Sequence, residues 1–316
     1  MRVLLTGAAG FIGSHVGRRL VAQGDEVTAV VFPEASIDRI ADILPNLSIV
    51  EADLNATNLD LLVSNAAPDA CIHLAWYVEP ASYLTAVREN LVSLVAGTRL
   101  LSALDRLGCA RAVIAGTCLE PGSLVDGEIE PARTIYAAAK TALHQVGLHL
   151  DNTRVACAHV FYLYGPAEDP RRVVPTIIRA CLEGRRIDVS SGEQRRDFLH
   201  VEDVASALVS IMKSDLRGRV DVCSGTTTAL RDVFRAIGAA TGRADLINVG
   251  NRPSVEGEPR EIAGDAAPLA GIGWLPRWTL ETGIAGTVEG WRAQGKDESA
   301  HGAKISPEQG SPSESV

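Results

Sequence analysis

Three glycines near the N-terminus constrain this chain most. Gly7, Gly10 and Gly13 follow an apolar run at residues 3–5, which predicts a buried strand. The segment at residues 14–23 predicts a helix. A strand, a glycine turn and a helix in this order form a cradle whose backbone N–H groups face a phosphate. The sequence therefore predicts a dinucleotide-binding unit at the start of an α/β fold.

Charge and composition exclude several partner classes. A net charge of −9 lacks the basic footprint of a protein that binds nucleic acid or an anionic membrane. We find no apolar run long enough to span a membrane and no secretory leader, so we expect a cytoplasmic protein. The six cysteines are scattered and form no Cys-x-x-Cys pair, so we expect buried thiols in a reducing compartment and no metal site.

Strand and helix patterns alternate along the first half of the chain, as in a doubly wound parallel sheet. Strands are predicted at residues 3–5, 26–32, 47–54, 70–75, 110–115, 153–161 and 220–223. Helices are predicted at residues 14–23, 83–106, 136–150, 173–184, 204–213 and 230–241. We expect the dinucleotide-binding domain at 1–165, with its sheet completed by later strands. A smaller mixed substrate lobe is expected at 166–292, followed by a disordered tail at 293–316.

The end of the second predicted strand bears on the choice of cofactor. A carboxylate at this point would hold the ribose 2′-hydroxyl of NAD. This chain has Val31 and Phe32 there, and Glu34 comes two residues later. The 2′-phosphate of NADP would not be repelled, and Arg39 is a candidate partner for it. We therefore expect an NAD(P) cofactor, with a slight preference for NADP(H).

Two polar residues lie at or near the ends of the next strands. Asp53 closes the third strand, where its carboxylate could accept from the adenine amino group or cap the next helix. Both roles can hold at once. His73 lies within the apolar fourth strand, which favours a structural histidine over a catalytic one.

A tyrosine and a lysine provide the candidate chemistry. Tyr136 and Lys140 are four residues apart in a predicted helix and so lie on one face. A nearby ammonium and an oxidised nicotinamide would lower the tyrosine pKa from its usual value of about 10. The hydroxyl of Thr117, at the end of the fifth strand, can orient the same substrate oxygen. The pattern predicts general acid–base chemistry beside hydride transfer, the alternative being a surface helix pair.

These segments resemble the extended short-chain dehydrogenases/reductases that act as nucleotide-sugar epimerases, dehydratases and ketoreductases. The resemblance implies a Rossmann domain and a C-terminal lobe that holds a nucleoside-diphosphate sugar. Thr117, Tyr136 and Lys140 would be catalytic, with Asn90 assisting. The cofactor-binding residues would be Gly7, Gly10, Phe11, Ile12, Gly13, Asp53, Leu54, Leu74, Ala75, Tyr136 and Lys140. The candidate substrate-binding residues are Tyr77, Cys118, Tyr162, Arg196 and Arg252, with a salt bridge to Asp197 or Glu202 as the alternative for Arg196.

Departures from the family pattern narrow the reaction. The dehydratases place Asp and Glu directly after the catalytic threonine, whereas this chain has Cys118 and Leu119. Leu119 cannot act as an acid or base, so we do not expect dehydration. The cysteine that double-epimerizing ketoreductases carry at the Leu119 position is also absent. Tyr162 stands where many members have Asn, and His159 stands where many have Arg.

Two reactions remain, with a non-catalytic NAD(P)-binding regulator as a third alternative. One is NAD(P)H-dependent reduction of a 4-keto-6-deoxy nucleotide sugar, with Tyr136 as proton donor. The other is 4-epimerisation with tightly held NAD. The missing ribose carboxylate and the Gly-Thr-Cys-Leu-Glu segment at residues 116–120 favour the reductase. By analogy with the family, we expect a homodimer formed through the helix after the fourth strand and the Tyr136 helix.

Overall fold

The computed structural model describes residues 1–126, 128–129, 133–253 and 257–302. The strands are β1 (Arg2–Thr6), β2 (Glu26–Val31), β3 (Leu47–Glu51), β4 (Ala70–His73), β5 (Arg111–Thr117), β6 (Leu124–Val125), β7 (Glu128–Ile129), β8 (Arg154–Val160), β9 (Tyr162–Tyr164), β10 (Ile187–Val189), β11 (Arg195–His200), β12 (Gly218–Val222), β13 (Thr227–Ala229), β14 (Ile247–Val249) and β15 (Glu261–Ala263). The helices are α1 (Phe11–Ala22), α2 (Leu59–Ala66), α3 (Val87–Arg106), α4 (Ile135–Leu148), α5 (Val173–Leu182), α6 (Val201–Met212), α7 (Leu230–Thr241), α8 (Ala267–Gly271) and α9 (Leu280–Gly302).

A seven-stranded parallel sheet in the order β3-β2-β1-β4-β5-β8-β12 organises the first half of the chain. Strand order reverses between β1 and β4, and ligands bind at such switch points in open α/β sheets. The late strand predicted near residue 220 is β12, which adds the seventh strand beside β8. The predicted doubly wound parallel sheet is therefore confirmed.

Alternating side chains of the strands fill two core layers. Val3 and Leu5 of β1 pack with apolar residues of α1 and α6, whereas Leu4 packs with those of α2, α3 and α4. Strands buried on both faces read as continuous apolar runs, which is why β1, β4 and β5 are apolar throughout most of their length. Helices therefore cover both sides of the sheet.

Two helices begin elsewhere than the sequence predicts. α3 begins at Val87 rather than at residue 83, after a turn in which Ala86 N donates to Ser82 O. α6 begins at Val201 rather than at 204, because His200 caps it and its Nδ1 accepts from Glu202 N at 3.3 Å. The segment before α6 is a strand, β11, which the apolar periodicity did not indicate.

β11 is the centre of the smaller lobe. It pairs with β9 and β15 in parallel and with β13 antiparallel, in a six-stranded arrangement that β6 and β7 complete. β10 and β14 form a separate parallel pair. α5, α7 and α9 pack together around a third apolar cluster. The lobe is therefore mixed in strand direction, as the sequence predicts.

The C-terminal segment differs from the predicted disordered tail. α9 runs to Gly302, so residues 293–302 are helical, and residues 303–316 lie outside the described part of the chain. Ile284 and Val288 anchor the helix in the third cluster. A helix that is already nucleated extends at little further cost even where its sequence is polar, which accounts for the difference.

Two predictions concern the state of the cysteines and the absence of a membrane-spanning segment. All six cysteines are free and buried, in agreement with the prediction of buried thiols. Among the residues that the structure describes, no helix combines the length and apolarity needed to cross a membrane.

Candidate active site

The glycine turn between β1 and α1 leaves no space for side chains. Gly7 has φ +70°, and a Cβ added to Gly13 would lie 2.0 Å from the Gly7 carbonyl oxygen. Gly10 is the N-cap of α1 and supplies no side-chain cap, while Phe11 and Ile12 open the helix. The first turn of α1 also contains no acidic residue. This uncapped helix start, open to close backbone approach, fits the pyrophosphate of a dinucleotide.

The end of β4 is fastened to the glycine turn by Thr6. Thr6 Oγ1 accepts from Leu74 N at 3.2 Å and from Ala75 N at 3.3 Å, and bonds His73 Nδ1 at 2.7 Å. Burial lowers the pKa of His73 to about 3, so the imidazole is neutral and can accept this bond. A Cβ on Gly7 would lie 2.8 Å from Ala75 N, so the two segments are in direct contact. Leu74 and Ala75 thus border the predicted cofactor cradle.

Lys140 connects this border to α4, the helix that carries Tyr136. Its ammonium lies 3.9 Å above the ring of Trp76, the residue after Ala75, and donates to Ala115 O at 2.7 Å. The same ammonium is 5.9 Å from the centre of the Tyr136 ring. A continuous series of contacts therefore leads from the glycine turn through Ala75 and Trp76 to Lys140 and Tyr136. The fold places the predicted tyrosine and lysine beside the glycine turn.

The Tyr83 ring packs edge-on against the Tyr136 ring with centres 5.0 Å apart, and the Thr117 hydroxyl lies close enough to the Tyr136 phenol to favour its charged form. Burial raises the pKa of Tyr136 well above its usual value and Tyr83 raises it further, while Thr117 opposes the shift. Lys140 together with an oxidised nicotinamide is expected to lower this pKa, whereas in the protein alone burial favours the neutral phenol.

Glu120 is a buried carboxyl group that sequence reasoning missed. Its Oε1 accepts from the backbone N–H of Thr117 at 2.8 Å, and it interacts electrostatically with Lys140. Burial raises the pKa of Glu120 and lowers the pKa of Lys140, and each charge partly offsets the shift of the other. Trp76 and Tyr83 were also missed as site residues. The signal for them was two aromatic residues in the segment after β4, where ligands sit in open sheets.

Asn90 is fully buried under that segment. Its amide nitrogen donates to Tyr83 O at 2.7 Å and to Ala86 O at 2.8 Å, and its Oδ1 accepts from Trp76 Nε1 at 2.9 Å. The residue therefore positions two aromatic neighbours of the catalytic helix.

Cys118, Tyr162 and Arg196 lie together, with Cys118 near Tyr136. Burial raises the pKa of Cys118 to about 12, and its thiol lies within electrostatic range of both Tyr136 and Arg196. The Arg196 guanidinium lies 5.5 Å from the centre of the Tyr162 ring, and its charge lowers the pKa of the Tyr162 hydroxyl against the effect of burial. This buried arginine pairs with Glu258 at 2.8 Å. Three predicted substrate residues are thus adjacent.

The alternative partners predicted for Arg196 are wrong. Asp197 accepts from Ser224 N and Gly225 N at 2.7 and 2.8 Å, which fastens the loop after β12. Glu202 instead accepts from Trp278 Nε1. A strand places neighbouring side chains on opposite faces, so Arg196 and Asp197 of β11 point apart.

Asp53 and Leu54 follow β3. The Asp53 carboxylate accepts from Asn55 N at 2.9 Å, and α2 is capped instead by Asn58, whose side chain accepts from Leu61 N. The alternative role of Asp53 as the cap of the next helix is therefore wrong. Leu54 is buried in the α2–α3 layer.

Two predicted substrate residues are less closely tied to the cluster. The Tyr77 hydroxyl bonds Ser82 Oγ at 2.8 Å in the segment above Asn90. Arg252 is exposed in the loop after β14, where its backbone N–H donates to Val189 O. Among the described residues, the structure records no contact between its side chain and Arg196.

Comparisons with known proteins agree with this geometry. Residues 3–223 match the NAD dependent epimerase/dehydratase family. The dTDP-L-rhamnose 4-epimerase of Burkholderia thailandensis is 28% identical over 94% of this chain and 96% of its own. The UDP-glucose 4-epimerase of Mycolicibacterium smegmatis is 30% identical, with 92% and 99% covered. The GDP-6-deoxy-D-mannose reductase of Pseudomonas aeruginosa is 26% identical, with 94% and 99% covered.

A solved structure shows the same architecture. The UDP-glucose 4-epimerase of Thermus thermophilus in complex with NAD superposes with a TM-score of 0.79 at 27% identity, covering 92% of this chain and 99% of that one. The family match spans most of the chain and includes the glycine turn, Thr117, Tyr136 and Lys140. The chain belongs to the NAD dependent epimerase/dehydratase family, within the extended short-chain dehydrogenases/reductases.

Proposed function

We propose that this protein reduces a 4-keto-6-deoxy nucleoside-diphosphate sugar with NAD(P)H. The observation that carries the proposal is the grouping of Thr117, Tyr136 and Lys140, with the Lys140 ammonium 5.9 Å from the centre of the Tyr136 ring and 3.9 Å from that of Trp76, which follows the segment that touches the glycine turn. A phenol that its surroundings keep protonated is the form that donates a proton to a ketone as it is reduced. Leu119 supplies no acid or base for loss of water.

The residues would divide the work as follows. The glycine turn and the start of α1 would hold the pyrophosphate, with Leu74 and Ala75 along its border. The bound nicotinamide supplies the hydride. Thr117 would orient the substrate oxygen, and Tyr136 would donate its proton to that oxygen. Lys140 would stabilise the phenolate that remains, because a nearby ammonium favours the charged form.

The substrate diphosphate would meet cationic side chains. Arg196 holds a rigid planar guanidinium that Glu258 and the Tyr162 ring keep in place, which suits bidentate recognition of a phosphate. Arg252, in the exposed loop after β14, is the second candidate, since that loop can close over a bound nucleotide. The names of the relatives support a nucleotide-sugar substrate.

A second candidate function is 4-epimerisation of a nucleotide sugar. It is favoured by two of the relatives compared above, which are named as 4-epimerases and match nearly the whole chain. The same three residues would serve this reaction, with Tyr136 first accepting and then returning a proton.

One experiment separates the candidates. Purified protein is assayed for NADPH and NADH oxidation against a panel of 4-keto-6-deoxy nucleotide sugars, and its bound cofactor is quantified after denaturation. A reductase consumes reduced cofactor only with a keto-sugar and is purified with an empty site. An epimerase carries bound NAD and interconverts C4 epimers without net oxidation. Cofactor binding without turnover on any substrate would instead indicate a regulator.

The preference for NADP(H) is a separate proposal. The strand end at Val31 and Phe32 carries no carboxylate, and Arg39 Nε donates to Ala167 O at 3.1 Å, which holds the guanidinium near the turn after β2. We expect Arg39→Ala to raise the KM for NADPH about tenfold, the scale of one charge-assisted hydrogen bond, and to leave that for NADH unchanged. Arg235→Ala, on the exposed side of α7, is the matched control. Equal effects on both cofactors would contradict the proposal.

We also propose a homodimer formed through α3 and α4. Val87, Leu91 and Val95 form an exposed apolar stripe on α3, and Val146 and Leu148 are exposed on α4. A glutamate at position 91 would bury an unpaired charge, so Leu91→Glu is expected to run at the monomer mass in light scattering at micromolar concentration. Leu61→Glu, at another exposed leucine on α2, is the control. A wild-type monomer would contradict this arrangement.

A cytoplasmic location accords with the six free thiols, which a reducing compartment preserves.

A further inference from the structure

Four side chains of types that can bind a metal ion converge between α4, β8 and the loop after β5. They are Glu120, His144, Cys157 and His159, and one ligand atom of each lies within 4.8 Å of the others. His159 Nε2 is 3.4 Å from Glu120 Oε2. All four side chains are buried, with His159 only 1% and Glu120 only 2% exposed.

The cluster is built from three separate elements. Cys157 and His159 are two residues apart on β8, so their side chains point to the same face of the sheet, toward α4. His144 lies on α4, one turn after Lys140. Glu120 lies in the loop that follows β5 and Thr117.

A glycine of β5 makes the space for this cluster. Gly116 is paired in register with His159. A Cβ on Gly116 would lie 2.6 Å from Glu120 Oε1, 2.7 Å from a ring carbon of His159 and 2.9 Å from Cys157 Sγ. Any other residue at this position would push the three side chains apart.

Several polar atoms of the cluster have no hydrogen-bond partner among the described residues. Both ring nitrogens of His159, Nε2 of His144 and Oε2 of Glu120 are buried in this way. Buried polar groups are ordinarily satisfied, so each exception calls for an explanation. Here the exceptions share one location, and a single central ion would satisfy the Glu120 oxygen and one nitrogen of each imidazole.

We propose that Glu120, His144, Cys157 and His159 bind one Zn²⁺ ion as a closed, four-coordinate site. Two imidazole nitrogens, a thiolate and a carboxylate oxygen form a ligand set typical of tetrahedral zinc, with bonds of about 2.0–2.3 Å. Small rotations of the side chains would bring the four atoms to these distances. On binding, the Cys157 thiol loses its proton to solvent, and the thiolate and carboxylate charges balance those of the ion.

The chemistry of the donors suits this ion. Burial lowers the pKa of both histidines, that of His159 to about 2, so both imidazoles are neutral and can donate lone pairs to a metal. Lys140 and Arg219 lie within electrostatic range of Glu120 and oppose a cation there, although the ion pair of Arg219 with Asp221 at 2.8 Å offsets part of its charge. A protein ligand at every position leaves no place for water, so the site would be structural. It would hold the Thr117 loop to the helix that carries Lys140.

No sequence motif indicates this site, and the prediction of no metal rested on the spacing of the cysteines alone. The ligands are 24, 13 and 2 residues apart, and no pair has the spacing of a zinc knuckle. The pairing of β5 with β8 and the packing of α4 against both strands bring them together.

Metal content tests the proposal, independently of the reaction catalysed. The ion must enter during folding because the site is buried, so the protein is expressed in zinc-supplemented medium and dialysed against metal-free buffer. Elemental analysis is expected to find close to one zinc per chain. Cys157→Ser is expected to reduce this at least tenfold, and Cys181→Ser, a buried cysteine of α5 outside the cluster, to leave it unchanged. Wild-type protein with less than a tenth of an equivalent overturns the proposal.

A cobalt experiment covers the case in which Cys157→Ser fails to fold. Wild-type protein expressed with Co²⁺ is expected to show a thiolate-to-cobalt charge-transfer band and the intense visible bands of tetrahedral cobalt. These bands should persist in Cys181→Ser. If they are missing from wild-type protein whose circular dichroism is native, the four side chains form only a hydrogen-bonded cluster and the proposal is wrong.

Discussion

Tyr136→Phe is expected to lower kcat by about 10²- to 10⁴-fold, the range that a positioned general acid contributes. The substitution removes only the phenol oxygen, and the ring keeps its edge-on packing against Tyr83. The glycine turn is unchanged, so the dissociation constant for NAD(P)H should stay within about twofold. Steady-state rates on the keto-sugar found by the panel and cofactor fluorescence titration measure the two quantities.

Tyr83→Phe is the matched control, because it removes a hydroxyl from the neighbouring ring and leaves the proposed proton donor in place. We expect it to retain most of the activity. A Tyr136→Phe enzyme that keeps more than a few per cent of the wild-type rate would remove Tyr136 as the proton donor. Equal losses in both variants would indicate that ring packing, and not proton transfer, limits the reaction.

The main sheet and the glycine turn were predictable because their signals are local. A strand buried on both faces is apolar throughout, and a phosphate turn needs glycine at fixed spacing, so β1 and the turn after it can be read from fourteen residues. Tyr136 and Lys140 are likewise four residues apart on one helix. In each of these features the residues are close in sequence, so the local backbone conformation determines how far apart they lie.

The rest of the candidate site depends on contacts between distant parts of the chain. Arg196 pairs with Glu258, which is 62 residues away, while the two nearby carboxylates predicted for it point elsewhere. In the sequence, Glu120 is an ordinary loop residue, and only the fold shows that it is buried near Lys140. The burial that raises the pKa of Tyr136 in the protein alone was not predictable for the same reason, since sequence shows the neighbouring charge but not the depth of burial.

Gly13→Ala is expected to abolish detectable cofactor binding. The new Cβ would lie 2.0 Å from the Gly7 oxygen and 2.8 Å from the Gly7 carbonyl carbon, both of which are backbone atoms that no side-chain rotation can move. The start of α1 must therefore shift away from β1, which widens the turn and misplaces the N–H groups that face the pyrophosphate. Overpacking of this kind costs about 1–3 kcal/mol of folding stability. The dissociation constant for NAD(P)H should rise more than a hundredfold.

Two further alanine variants test whether the loss of cofactor affinity follows the crowding around the new Cβ. At Gly10 the new Cβ would lie 3.1 Å from the Gly7 oxygen, a contact that a small adjustment can relieve, so Gly10→Ala should weaken binding less than Gly13→Ala does. At Gly271 in α8 the Cβ would meet nothing within 4 Å, so that variant should bind the cofactor as the wild type does. Isothermal titration gives the three affinities, and thermal unfolding shows which variants are folded. If folded Gly13→Ala protein bound NAD(P)H like the wild type, the cofactor would not lie against this turn, and the proposed oxidoreductase would lose the position of its hydride donor.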